Sequence, residues 1–450
     1  MPKVTIYILN FNYGRYISQA IKSALSQTYD NLEILIIDDG STDNSMEVIN
    51  KFSDKVKIIK QENIGLVRSI IKAFSIAKGE YIMRLDADDW LDPCCVEKLV
   101  KKKEKNTDVA LVFPDYFEVD EFGQIIRCIK RHDFSENVSM YDQPAHGACT
   151  LTRKEHYFSV GGHDESFQCQ DGVDIWLSLT EKYNVINVKE PLFYYRKHNQ
   201  SLSDNEEKIL STRSNIYKTH AKKRGYLKEN TLAFIPIRSQ KLDGKEYALS
   251  ELGGKTMIEW VLEKTKISEL IDKTVILVDT NEMESELKKL INCDDISIAK
   301  RDKKYSAQGI STTESIKEYL LKNDKICPDN IVILTTDYPF SRHNYVDTAI
   351  FSMFLFGSNS IDSVIMDNSI FYYHDGTGLK QWVDSKIRQE REDIYLRRGG
   401  ISVFKNELLN IKNDELSEKK GHVIVDKISS FEIRSSEDII IGGIIAEKLI

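Results

Sequence analysis

Carboxylates crowd two short stretches of this chain, "IIDDGSTDNS" with Asp38 and Asp39, and "RLDADDWLDP" with Asp86, Asp88, Asp89 and Asp92. Acids this dense repel one another unless a cation sits among them or a helix start absorbs them. The Asp-x-Asp pair Asp86/Asp88 offers hard oxygen ligands of the kind Mg²⁺ or Mn²⁺ prefers. An ion held there can bridge a diphosphate and stabilise it as a leaving group. Alone, Asp38 and Asp39 read equally well as residues solvating a turn, with Ser41 or Asp43 capping the next helix. Asp92 and Pro93 suit a second helix start.

The elements that must position these acids can be read from periodicity. "KVTIYIL", "LEILIIDDG", "KVKIIKQE" and "YIMRLDADD" are apolar runs with strand character. "YISQAIKSALSQ", "SMEVINKF" and "LVRSIIKAFSIA" carry apolar residues at helical spacing. Continuous apolar strands separated by helices predict a parallel sheet covered on both faces. Ligands bind such sheets beyond the carboxyl ends of the strands, where both acidic clusters fall. A charged helical stretch near 205–230 is followed by a fresh strand, "TLAFIPIRS", and a second strand–helix series. The expected boundary lies near 226–231, giving domains 1–226 and 231–450 with no sequence repeat between them.

The bulk numbers set limits. At 450 residues, two domains are expected. A formal net charge of −8 argues against a nucleic-acid partner. The lysine clusters near residues 100 and 220 read as solvated helix faces that can also touch an anionic lipid surface. Seven cysteines without CxxC spacing fit reduced thiols, hence a cytoplasmic location, peripheral at a membrane face at most. The N-terminus shows no signal-peptide pattern, and no apolar run reaches the roughly 18 residues needed to span a bilayer. "DIIIGGIIAEKLI" reads as a buried helix.

At this point the residues carry a resemblance. "YILNFNYGRYISQAIKSALSQTYDNLEILIIDDGSTDNS", "NIGLVRSI", "AKGEYIMRLDADDWLDP", "HGACTLTRKEHYFSVGGHDESF", "CQDGVDIWLSL" and "PLFYYRKHNQSLS" resemble, in order, the motifs of family-2 glycosyltransferases of the GT-A fold. The resemblance covers roughly residues 1–205. It implies an inverting enzyme that uses a nucleotide-sugar, most often a UDP-sugar, with Mg²⁺ or Mn²⁺ and a glycan or lipid- or protein-linked acceptor. It aligns Phe11 with an aromatic against the base, Asp38 and Asp39 with the acids on the base or ribose, and Arg68 with a base- or phosphate-side contact. Asp86 and Asp88 align with the metal acids, Asp88 as direct ligand, and Asp89 with an orienting or capping acid. His198 aligns with a metal- and diphosphate-side residue, with Arg196 nearby. For the base that takes the acceptor proton, "GGHDESFQCQDGVDIW" offers Asp171 and Asp174, with Asp171 preferred and Gly172 departing from the commoner spelling. Asp164 reads as a loop residue, and Gly161–Gly162 as a place where backbone approaches a sugar.

"AFIPIRSQKLDGKEYALSELGGKTMIEWVLEK", "IVILTTDYPFSRHNYVDTAI", "DIYLRRGGISVFKNELL" and "ISSFEIRSSEDIIIGGIIAE" resemble, more loosely, sugar nucleotidyltransferases of the cytidylyltransferase type. The resemblance implies a CTP site with Arg238, Lys241 and Lys245 on the triphosphate and Asp337 on a metal. It departs where an Asp-x-Asp belongs, for this chain reads Glu432-Ile433-Arg434. An arginine there repels Mg²⁺. Two readings stand, an active synthetase of a CMP-sugar that feeds the first domain, or a degenerate domain kept for binding. The whole is expected to be α/β, two Rossmann-like α/β/α domains, a GT-A fold followed by a nucleotidyltransferase-like fold, with self-association left open. A non-catalytic nucleotide-sugar-binding scaffold is the alternative to an enzyme.

Overall fold

The computed structural model describes residues 1–131, 147–167, 169–198, 206–238, 247–305, 311–367, 369, 371–381, 394–410 and 420–449. The chain forms two compact units, residues 1–216 with 370–391, and residues 217–369 with 392–450.

In chain order the first stretch runs β1 (Val4–Asn10), α1 (Ile17–Leu25), β2 (Leu32–Asp38), α2 (Ser45–Asn50), β3 (Lys57–Lys60), α3 (Leu66–Ile76), β4 (Tyr81–Asp86), β5 (Trp90–Leu91), α4 (Cys95–Glu104), β6 (Val109–Val119), β7 (Ile125–Ile129), β8 (Leu151–Arg153), α5 (Lys154–Ser159), α6 (Asp171–Thr180), β9 (Asn184–Arg196) and α7 (Glu206–Lys223). The sheet order is β3-β2-β1-β4-β8-β6-β9-β5, with β7 on β6. The first four strands are parallel, and β8 runs against both β4 and β6.

Strand alternation divides the apolar runs between two cores. Ile6, Ile8, Ile36, Met83 and Leu85 pack with Ile17 and Ile21 of α1 and with Val96 and Leu99 of α4. Tyr7, Leu35, Ile37 and Ile82 pack on the other face with Ile70, Ala73 and Phe74 of α3. Both faces are covered, which is why these strands read as unbroken hydrophobic runs. Asn10 pairs with Asp38 and Leu9 with Asp86, so the acids flank the carboxyl end of β1 on either side.

The second stretch continues with β10 (Thr231–Pro236), β11 (Glu251–Leu252), β12 (Lys255–Thr256), α8 (Met257–Ile267), β13 (Lys273–Val278), α9 (Asn281–Leu290), β14 (Ile296–Lys300), α10 (Thr312–Lys322), β15 (Asn330–Leu334), α11 (Asn344–Phe356), β16 (Ser360–Asp367), β17 (Tyr372–His374), β18 (Leu379–Gln381), β19 (Ile394–Lys405), β20 (Lys420–Ile424) and α12 (Ser436–Leu449). Its main sheet has the order β14-β13-β10-β15-β19-β16-β20. Four parallel strands followed by an antiparallel one repeat the winding of the first sheet without repeating its sequence.

Two expectations need correction. The segment read as a buried helix is α12, but it buries mainly Gly442 and Ala446, while Ile440, Ile441 and Ile444 are exposed. Gly161 and Gly162 both have positive φ, and a Cβ on Gly162 would lie 2.9 Å from the Tyr157 ring. That glycine therefore makes room for Tyr157, not for a sugar. All seven thiols are free, with the buried Cys95 and Cys149 sulfurs 3.4 Å apart. Among the described residues, no helix is long and apolar enough to cross a membrane.

Candidate active site

The loop after β1 is latched to the loop after β2. Asn12, in the left-handed region at φ 62°, accepts from the Thr42 amide at 2.7 Å, and the Gly14 amide donates to Asp43 Oδ2 at 2.9 Å. Asp43 Oδ1 also accepts from the Ser45 amide at 2.9 Å, which starts α2. Asp38 is fully buried and accepts from Asn10 Nδ2 at 2.8 Å and from the Ser41 hydroxyl and amide at 2.6 and 3.1 Å. Both its oxygens are spent on the turn, so it shapes the site from within, a correction to its expected ligand contact. Asp39 holds the next loop, accepting from Gln61 Nε2 at 2.7 Å and from the Ile64 and Gly65 amides at 3.0 Å. Phe11 stays 44% exposed, which leaves a ring face free to stack. Arg68 pairs with Glu165 at 3.2 Å in an exposed contact that contributes little.

The end of β4 gathers the rest. Asp88 Oδ2 lies 3.0 Å from His198 Nε2, and the histidine ring stacks on Tyr16 at 5.3 Å. Asp89 is buried, with Oδ1 accepting from the Arg196 amide at 2.8 Å and, among the described residues, no partner on Oδ2. Burial first, and then the Asp86 carboxylate, push Asp88 above its ordinary range, while His198 pulls it back. Burial and the Asp88 and Asp86 charges push Asp89 well up, and burial beside the same acids raises Tyr13.

Arg196 is the clearest correction. Expected in the nucleotide-sugar site near His198, it is 3% exposed. Its Nε donates to the Asp88 carbonyl at 2.8 Å, Nη1 to the Glu121 carbonyl at 2.8 Å, and Nη2 to Gln19 Oε1 at 2.8 Å. The guanidinium carbon lies over the Tyr16 and Trp90 rings at 4.7 and 4.8 Å. It ties three segments together, and each of its three nitrogens is engaged within the protein.

The expected metal trio, Asp86, Asp88 and His198, does not converge. Asp86 turns both oxygens to Arg84, at 2.5 and 3.0 Å. Among the described residues no group of three or more His, Cys, Asp or Glu side chains could hold an ion. The donors nonetheless fit a cation shared with a ligand: Mg²⁺ in particular is commonly held by one or two carboxylates plus substrate phosphates. Asp88 and His198 are adjacent, and the unbonded buried oxygen of Asp89 leaves the pocket short of positive charge.

The two base candidates separate. Asp174 is 2% exposed, and its Oδ2 accepts from the Asp164 amide at 3.0 Å, holding the loop before α6. Asp171 opens α6 and accepts on Oδ2 from Arg84 Nη1 at 2.7 Å. No hydrogen bond among the described residues reaches its Oδ1.

Sequence reasoning missed Arg84, whose place two residues before Asp86 on a strand was the available signal. Burial alone would lower its pKa, but Asp86 and Asp171 outweigh it and raise it. Behind it lies a cavity of about 40 Å³ lined in part by Tyr7, Thr150, His163 and Asp171. Burial lowers the His163 pKa, with Asp171 and Asp174 opposing.

In the second sheet, Arg238 lies just past β10, and Lys241 and Lys245 lie outside the described residues. Asp337 follows β15, and its carbonyl accepts from the Ile433 amide at 2.8 Å, which brings the closing motif beside it. Glu432 is held there by Arg398 and, at 2.6 Å, by Arg434. Gly399 and Gly400 have φ of 84° and 66°, and a Cβ on Gly400 would strike Thr335 Oγ1 at 2.5 Å.

Glycosyl transferase family 2 matches residues 5–153, and Cytidylyltransferase matches residues 232–436. The chondroitin synthase of Pasteurella multocida (strain Pm70) is 41% identical over 185 residues, 40% of this chain and 19% of that protein. The hyaluronan synthase of Pasteurella multocida matches with the same figures. An uncharacterised glycosyltransferase of Haemophilus influenzae is 29% identical over 222 residues, 45% of this chain and 68% of that protein. The chain spans about a fifth of the length of the two synthases. Among solved structures, S. aureus TarS 1–349 in complex with UDP-GlcNAc superposes with a TM-score of 0.41 at 15% identity, over 48% of this chain and 66% of that one. Mannosyltransferase PcManGT from Pyrobaculum calidifontis, in complex with GDP-Man and Mn²⁺, gives 0.40 at 14%, over 49% and 64%. Residues 5–153 are thus similar to glycosyl transferase family 2, and residues 232–436 to the cytidylyltransferases.

Proposed function

We propose that the first unit is an inverting glycosyltransferase that moves a sugar from a nucleotide-sugar, with a UDP-sugar first choice, to a glycan or a lipid- or protein-linked acceptor. The observation that carries this reading is that two acids with different surroundings are both tied to the end of β4, Asp88 just past it in the chain and Asp171 through Arg84. Asp88 is buried beside His198, and Asp171 keeps one oxygen without a hydrogen bond among the described residues. Phe11 supplies an exposed ring for the base, and Asp39 braces the loop beside it. Asp88 and His198 would hold Mg²⁺ or Mn²⁺, which supplies positive charge to the diphosphate leaving group. Asp171 takes the acceptor hydroxyl proton at Oδ1 as the acceptor oxygen attacks the anomeric carbon and the bond from that carbon to the nucleoside diphosphate breaks. Asp174 is too deeply engaged with the Asp164 amide for that task. Two relatives named as polysaccharide synthases support polymer or glycoconjugate synthesis as the setting.

The test is a donor screen by thermal stabilisation and nucleotide release, with UDP-, GDP-, dTDP- and CMP-sugars, Mg²⁺ or Mn²⁺, and EDTA controls. Asp88→Asn is expected to abolish release while leaving the melting temperature within a few degrees. Undiminished release by Asp88→Asn in EDTA would overturn the reading.

For residues 232–436 we propose a fold kept without a working acid pair. Its support is Glu432, whose two oxygens are taken by Arg398 and Arg434. CTP offered with a panel of sugar acids should release no pyrophosphate; sustained release would restore the synthetase reading.

A further inference from the structure

Arg84 has no part in the chemistry proposed above, yet it joins Asp171, on which that chemistry depends, to Asp86 at the end of β4. Two residues before Asp86 on β4, it projects from the same face of the strand. Its Nε and Nη2 grip Asp86 bidentately, at 2.5 and 3.0 Å, and Nη1 reaches Asp171 Oδ2 at 2.7 Å. Asp171 is 87 residues away in sequence, at the first turn of α6. The side chains of Arg84, Asp86 and Asp171 are 11%, 21% and 12% exposed, so water does little to screen the contacts. One planar guanidinium serving two carboxylates is a geometry that an ammonium cannot copy. The backbone leaves room for it at Gly147, where a Cβ would stand 3.3 Å from both Arg84 Nη1 and Asp171 Oδ2.

We propose that Arg84 is a positioning residue for sugar transfer, holding Asp171 by Oδ2 so that Oδ1 faces the acceptor hydroxyl, and anchoring that carboxylate to the strand end that carries the donor-side acids. The inference rests on the transferase reading. It differs from a purely structural role for Arg84, in which the arginine only neutralises two buried acids. Positioning predicts a loss in turnover with donor affinity kept. A structural role predicts a loss of folded protein with the kinetics of the folded fraction unchanged.

The test compares the full chain with its Arg84→Met, Arg84→Lys and Gly147→Ala variants. The readouts are nucleotide release from the best nucleotide-sugar of the screen, UDP binding by thermal shift, and melting temperature. Misplacing a base by about 1 Å can cost on the order of 100-fold, so Arg84→Met should lose roughly that in kcat. Donor KM and UDP binding should stay within about threefold, since the arginine touches neither the aromatic platform nor Asp88. Arg84→Lys should recover part of the loss, about tenfold, because it restores the charge but not the fork. Gly147→Ala keeps every charge and crowds only the contact, so it should lower kcat about tenfold with little change in melting. If Arg84→Met does not fold, Gly147→Ala decides the question alone. An active wild type indifferent to these changes, or a donor KM that rises in step with the fall in kcat, overturns the assignment of Arg84. A wild type that releases nucleotide from no donor overturns the transferase reading, and this inference with it.

Discussion

The fate of each acidic or basic side chain depends on where its last free atom points. Asp171 and Asp174 are three residues apart, yet one opens a helix beside Arg84 and the other is locked under the Asp164 amide. Asp171→Asn should therefore cost roughly 100- to 10,000-fold in kcat and leave the melting temperature close to wild type. Asp174→Asn should do the reverse, losing about 1 kcal/mol of stability while the folded protein keeps its turnover. Nucleotide-release kinetics with parallel circular-dichroism melts separate the two. Arg196 makes the same point from the cationic side. Because its nitrogens serve backbone carbonyls and Gln19, Arg196→Ala should destabilise the unit by roughly 2–4 kcal/mol. Denaturant melts would show this. A drop in UDP affinity with unchanged stability would contradict it.

Among the elements, the loops after β1 and β2 act as one piece. Asn12, Gly14, Ser41 and Asp43 bond across them, so Phe11 and Tyr13 are presented by a latched pair of turns rather than by a free segment. Gly14 is the tightest point, since a Cβ there would lie 2.1 Å from Asn44 Oδ1 and 2.9 Å from the Ser45 amide. Gly14→Ala should cost about 1–3 kcal/mol and weaken UDP-induced stabilisation, because the turn must open to admit the methyl group. A thermal shift with UDP measures both effects. The corresponding brace on the next loop is Asp39, which reaches the start of α3 through the Gly65 amide.

Across the molecule, two sheets wound in the same order carry different charge arrangements at their strand ends. The first leaves one buried carboxylate oxygen, on Asp89, without a hydrogen bond among the described residues; the second ties Glu432 between two arginines. The second unit also buries a lone cation: Lys264 is 6% exposed and donates to the Tyr338 carbonyl at 2.8 Å, with burial pushing its pKa down to about 7. An unfolded lysine titrates near 10.4, so between about pH 7 and 10 the unfolded chain binds more protons than the folded one, and stability rises with pH through that window. Below pH 7 the full cost of the buried charge is present. Lys264→Met should thus raise the melting temperature of this unit by several degrees at pH 6 and by progressively less toward pH 10. A gain independent of pH would show that packing, not charge, is responsible. The strands and helices around both sites were legible in the sequence because burial imposes its period on neighbouring residues, as the alternation of Ile6, Tyr7 and Ile8 between two cores shows. The position of the acids at strand ends followed from the same periodicity. No pattern in sequence shows which way a carboxylate turns. Asp38 spent on its own turn, Asp86 gripped by Arg84, Arg196 drawn in among carbonyls and Glu432 clasped by two arginines were decided only by tertiary contact. Those partners are short-range in space and, apart from a neighbour such as Arg84 or Arg434, far apart along the chain. The sequence by itself determined which strands end in acids. Only the folded chain decided which of those acids keep an oxygen free for chemistry.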